Sequence, residues 1–185
     1  IYIANSSPAV IRCVFTGNIA GLNGGGMYNW FSSPTVTGCT FMNNDAPYGG
    51  GIYNRIDSPV VTDCTFIDNA AQEGGGMYNY GGSPTVTGSS FIENVGGNGG
   101  GMYNWGGSLT LTNSTFIDNY ADSWAGGGMF NGGGNDAVIT NCTFSGNATI
   151  RFGGGIYNRD SNPTLTNTIL WGNGAEQIYD ENSSP

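Results

Sequence analysis

Three carboxylates recur at an even interval: Asp68, Glu93 and Asp118 stand 25 residues apart, each directly before an asparagine. Asn43 holds the same place one interval earlier. If the fold stacks these positions, three acids repel one another unless water or a cation lies among them. Calcium suits such a set, because it takes several carboxylate and amide oxygens. Asp68, Glu93 and Asp118 are therefore the candidate metal site, with Ca²⁺ the one candidate cofactor. Two acids about 5–9.5 Å apart also serve glycoside hydrolysis. That reaction needs a cleft, and an even column of acids gives no sign of one, so no catalytic residue is assigned and the chain is read as a non-enzyme.

Aromatic residues keep the same interval. Tyr28, Tyr53, Tyr78, Tyr103, Phe130 and Tyr157 form one series, and Trp30, Arg55, Tyr80 and Trp105 follow two residues on. Rings on adjacent strands stabilise each other by about 0.2–1 kcal/mol per pair. Facing water, the same rings offer flat platforms to sugars or to a partner surface. Tyr28, Trp30, Tyr53, Tyr78, Tyr80, Tyr103 and Trp105 are thus the candidate ligand face, with glycans or surface proteins as partners. The longer segments YADSWA (120–125) and ATIRF (148–152) are expected side by side on one edge, where specific recognition is best placed.

Three further patterns invite a chemical reading. GGGMYN at 74–79 resembles a nucleotide-binding loop, but its glycines precede a strand-like segment, lysine is absent and the motif occurs six times in all. A phosphate loop instead opens a helix, so these glycines are read as scaffold that lets the backbone turn and approach a neighbour. Cys13, Cys39, Cys64 and Cys142 share a position filled elsewhere by Ser89, Ser114 and Thr168. That exchange calls for a small inward side chain and favours free thiols over a metal site. Thr-x-Thr pairs such as Thr35/Thr37 and Thr85/Thr87 make a regular face, interrupted at Val60 and Val138. Such a face would suit ice binding, although threonine is also common on exposed strands.

The elements that position these residues follow from the repeat. The glycine triplet begins at Gly24, Gly49, Gly74, Gly99, Gly126 and Gly153, and a Phe-x-x-Asn motif keeps step from Phe15/Asn18 to Phe144/Asn147, with Leu170/Asn173 as a variant. Self-similarity at this period marks a solenoid whose units bury their apolar faces against one another. The units are rich in Val, Thr, Phe and Tyr, which predicts strands and bends. An all-β parallel β-helix of about seven coils, each 22–28 residues, fits best. Val10, Val36, Val61, Val86, Leu111, Ile139 and Leu165 alternate with threonine and face inward, joined by the Phe column and by Met27 and its equivalents. The Asn44 column turns inward, where a buried amide needs partners in the neighbouring coils.

Composition narrows the partners. Of 185 residues, 9% are charged; four arginines face thirteen acids, for a net charge of −9. Nucleic acid is excluded, since phosphate binding rests on clustered Lys and Arg. No apolar run reaches the ~18–20 residues of a membrane-spanning helix.

The paired GG-x-[ILM] and F-x-x-N motifs resemble those of right-handed parallel β-helix repeat proteins, in particular the passenger repeats of chlamydial polymorphic outer membrane proteins and other bacterial surface proteins. The resemblance covers essentially the whole chain. It departs at the third glycine, where that family commonly has alanine, and at Ala175-Glu176-Gln177, which replaces the last triplet. It implies a secreted or surface location, while such repeats serve adhesins, glycan-active enzymes and plain stalks alike. A structural or adhesive role (stalk, passenger or fibre subunit) is the expectation here, with a carbohydrate-active enzyme or glycan-binding module as the alternative. Residues 1–185 are expected to form one domain. Because the opening IYIANSSP and the closing IYDENSSP fall in the same part of a coil, they are expected to belong to a longer solenoid, with end-to-end self-association as a further expectation.

Overall fold

The computed structural model describes residues 1–184; Pro185, the last residue of the expected domain, lies outside them. The chain winds into a parallel solenoid of about seven turns built from four sheets. An eight-stranded sheet runs from Tyr2–Ala4 through Met27–Trp30, Ile52–Arg55, Met77–Tyr80, Met102–Trp105, Met129–Gly132 and Ile156–Arg159 to Ile178–Glu181. Two seven-stranded sheets carry the Thr-Val-Thr strands and the Phe strands. A short edge sheet joins Ala70–Glu73, Val95–Asn98, Tyr120–Ala121 and Ala148–Thr149. Register partners are equivalent residues of the repeat, as in Val86 with Val61 and Leu111.

Strand alternation builds the core. Val36, Val61, Val86, Leu111 and Ile139 are fully buried, as are Phe41 to Phe144 and the Met/Ile column. The phenyl rings stack coil on coil, with centroids 4.5–4.6 Å apart from Phe66 to Phe144. Between the Val and Phe strands one residue bends the chain through left-handed backbone: Gly38, Asp63, Gly88, Asn113 and Asn141. Residue types that tolerate this conformation fill the position.

Two asparagine ladders run the length of the rod. In the first, Asn94 donates from Nδ2 to Asn119 Oδ1 at 2.9 Å and to the Phe66 carbonyl at 3.0 Å. Its own Oδ1 accepts from both the amide and the backbone N–H of Asn69. In the second, Asn54, Asn79, Asn104 and Asn131 pass one bond per coil at 2.7–3.0 Å. That ladder ends on Asp180, which accepts from Asn158 at 2.8 Å.

The cysteine column works in a similar way. Cys64 Sγ accepts from Cys39 N–H, and Ser89 Oγ accepts from Cys64 N–H in turn. Thiol and hydroxyl exchange because both accept from the neighbouring coil. All four cysteines are free; Cys13 is exposed and the others are buried.

The glycine triplet meets three separate steric demands. Gly74 takes φ +67°, where a Cβ would also lie 2.4 Å from the Met77 carbonyl oxygen. A Cβ on Gly75 would meet the Val95 and Gly100 carbonyl oxygens at 2.4 and 2.5 Å. One on Gly76 would meet Gly101 O at 2.6 Å and the Phe91 ring at 2.8 Å. The triplet is thus a corner pressed between neighbouring coils, where an alanine in third place would require the phenyl stack to shift.

Candidate functional site

At that corner the chain passes from the edge sheet into the eight-stranded sheet, and the outer faces of the two meet at an angle. The residue before each triplet therefore faces the tyrosine column across the corner. Those residues are Asn23, Tyr48, Glu73, Asn98, Ala125 and Phe152; parallel pairing joins the first four and joins Ala125 to Phe152, while the Ala125 N–H donates to Asn98 Oδ1. On the other side of the tyrosines runs the column Trp30, Arg55, Tyr80, Trp105, Gly132 and Arg159. The result is an axial groove, with the tyrosines as floor and these two columns as walls.

The floor is packed. Tyr53, Tyr78, Tyr103, Phe130 and Tyr157 are 1–7% exposed and form a second apolar cluster with Ala125. This corrects the expected open tyrosine face. The rings do point away from the methionine core, as alternation requires, but the wall covers them. Tyr48 packs within 5.7 Å of Tyr78, and Phe152 within 4.6 Å of Tyr179. Burial raises the phenol pKa values above normal, to about 12 for Tyr53, so the floor stays neutral. Of the expected ligand face, Tyr53, Tyr78 and Tyr103 are floor and Tyr28 is half-buried, while Trp30, Tyr80 and, in part, Trp105 carry the accessible surface.

Two depressions of about 360 and 370 Å³ open along the groove, and Glu73 lines both. Arg55, Tyr80 and Tyr48 border the first; Trp105, Trp124 and Arg159 border the second. Burial pushes the Glu73 carboxyl pKa upward, opposed in part by the Tyr78 hydroxyl. The Trp105 ring reaches over the next coil, where a Cβ on Gly132 would meet it at 2.8 Å. Arg151 lies over the Trp124 ring at 4.8 Å, and Arg55 lies 5.9 Å from that of Trp30. The segments 120–125 and 148–152 do lie side by side, with Trp124 and Phe152 in edge contact. A larger depression of about 630 Å³, lined by Asp45, Gln72, Asp122 and Ser123 among others, carries no aromatic ring.

The acidic column has a different origin from the one its spacing suggests. Asp68, Glu93 and Asp118 are exposed and take φ of 51–53°, like Asn43; Gly17, Gly146 and Gly172 fill the same place in other coils. This is a bend column, chosen for left-handed backbone. Among the described residues no three His, Cys, Asp or Glu lie together so as to hold a metal ion. On the Thr-x-Thr face, Ile11, Val60 and Val138 are exposed where threonines stand in other coils.

Sequence comparison agrees with the geometry. Residues 141–159 match the Chlamydia polymorphic membrane protein repeat. No curated protein matches the chain. Residues 1–127, more than half of the chain, match the right-handed β-helix region. With its four in-register parallel sheets, the chain therefore belongs to the right-handed β-helix family.

Proposed function

We propose that this chain is a surface-displayed, non-catalytic β-helix that acts as a rigid scaffold and an adhesive module. The observation that carries the reading is the unbroken axial register: two amide ladders and a phenyl stack tie each coil to the next. Each coil thereby sets the next, so the rod can hold a one-sided groove away from its support. The polymorphic membrane protein repeat supports display at a cell surface. Glu73 is the only carboxylate among the described residues lining the two groove depressions, whereas two-carboxylate glycoside hydrolysis needs a pair. This favours holding a ligand over cleaving one.

Antibody against the purified chain should label intact source cells without permeabilisation, and beads coated with it should attach to cultured epithelial cells. Polysaccharides incubated with it should release no reducing ends. Unlabelled intact cells would overturn surface display. Beads that attach no better than uncoated ones would overturn the adhesive role.

A further inference from the structure

We propose that the axial groove binds an acidic oligosaccharide, with sugar rings on Tyr80, Trp105 and Trp124 and sugar carboxylates directed to Arg55 and Arg159. The inference deepens the adhesive reading by naming a ligand class, and it rests on that reading. Charge distribution is the first support. The chain has only four arginines against thirteen acids. Arg55 and Arg159 line the groove and Arg151 lies on the Trp124 ring that borders it. Only Arg12, at a bend in the first coil, lies elsewhere. In a strongly acidic rod, three of the four arginines thus gather in or beside the groove.

The second support is the order along the wall. Reading up the column, Arg55 is followed by Tyr80, Trp105, Gly132 and Arg159. Two aromatic platforms thus stand between two cations, and Trp105 extends over Gly132 to fill the gap. At ~4.8 Å per coil the two guanidinium positions lie roughly 19 Å apart, room for several sugar rings between two acid groups. Tyr80 and Trp124 are 40–41% exposed, and Arg151 covers one face of the Trp124 ring. Apolar ring faces suit the C–H faces of sugars, while guanidinium forks match carboxylates.

Opposite this wall, the Glu73 carboxylate and the Asn98 amide supply polar groups between the cations. Ring hydroxyls on this side donate to Glu73, which turns the ligand's own carboxylates toward the arginine wall. Arg159 already lies 3.8 Å from Glu181 and 3.9 Å from Asp160, both long, solvent-exposed pairs. Such pairs are weak and yield readily to a ligand carboxylate.

The test is calorimetric titration of the purified chain with a hyaluronan hexasaccharide and with tetragalacturonate, using chitohexaose as the neutral control. At least one acidic probe should bind, and chitohexaose should bind about tenfold or more weakly. Arg55→Ala and Arg159→Ala should each weaken the acidic probe about tenfold, and Tyr80→Ala should weaken it as well. All three sites are exposed, so these variants should keep the parent's circular dichroism. Arg12→Ala removes the same charge away from the groove and should leave affinity unchanged. Failure of both acidic probes, equal binding of chitohexaose, or an equal loss in Arg12→Ala would overturn the proposal. Because bead attachment is scored separately, adhesion that persists without oligosaccharide binding would sink this inference and leave the adhesive role standing.

Discussion

Replacing Asn94 by alanine tests whether the amide ladder or the apolar core dominates cohesion between coils. Asn94 is fully buried at mid-rod. Its loss strips the acceptor from two donors of Asn69, the side-chain amide and the backbone N–H, and the donor from the Phe66 carbonyl. Asn119 Oδ1 keeps a partner in the backbone N–H of residue 94. Three buried groups at ~1–3 kcal/mol each put the cost at ~3–9 kcal/mol, a large share of the ~5–15 kcal/mol that stabilises a typical domain. Guanidinium denaturation followed by circular dichroism should show a large drop in midpoint. Asn94→Asp keeps the acceptor but loses the donors and buries a charge, so it should also destabilise near neutral pH. Its carboxyl would resist ionisation, so that variant should regain stability as acidification restores an O–H donor. A cost below about 1 kcal/mol for the alanine variant would refute the ladder argument, because neighbouring coils would then be relaxing to re-pair the orphaned groups.

Other substitutions probe separate features. Gly75→Ala drives a Cβ to 2.4–2.5 Å from two backbone oxygens; it should cost about 3 kcal/mol or more, and an unchanged melting temperature would contradict the corner geometry. Ile56 is a β-branched residue at φ 60°, about half exposed, where Asn5 and Asn182 stand in other coils; Ile56→Asn should stabilise by about 1 kcal/mol, and any loss of stability would count against backbone strain there. Asp57 is 2% exposed, with Oδ1 accepting from the Ser32 N–H and Oδ2 unpartnered. Desolvation raises its pKa, so the folded state holds its proton to higher pH than the unfolded state and loses stability as pH rises through that window. Asp57→Asn should therefore be the more stable form at pH 7, with the gap closing below the ordinary carboxylate range; an asparagine variant less stable than the parent at pH 7 would reverse this sign.

What could be read from the sequence divides along a physical line. Alternation tells which side of a strand a residue occupies, and the Val, Phe, Met and Asn columns all lie inside as their spacing predicts. Alternation says nothing about what stands opposite an outward residue. The tyrosines face outward and are buried nonetheless, because the triplet corner folds the edge sheet against them. Glu73 carries no motif of its own, since the residue before each triplet changes from coil to coil. Its signal was positional, the place next to the invariant turn. The acidic column carries a second signal for a related reason. Even spacing reports stacking, and the alternation of Asp and Glu with Asn43, Gly17 and Gly146 marks a bend that needs left-handed backbone.

The same contrast separates scaffold from surface within one chain. Inward columns repeat nearly unchanged because each residue packs against its own kind one coil away: Phe on Phe, Asn on Asn, Gly on Gly. A departure there disturbs two neighbours at once, as at Asn29, whose Oδ1 is left without a partner where Ile3 stands in the adjacent coil. The groove walls obey no such rule. One reads Asn23, Tyr48, Glu73, Asn98, Ala125, Phe152, and the other Trp30, Arg55, Tyr80, Trp105, Gly132, Arg159. In a solenoid whose cohesion comes from like stacking on like, such positions change type at little cost to the fold. They also lie in line at one residue per coil, so their order along the axis is a chemical pattern that an extended ligand can read unit by unit. The floor beneath is buried and packed, so under the proposed binding mode selectivity falls to the walls, and to Arg55 and Arg159 above all.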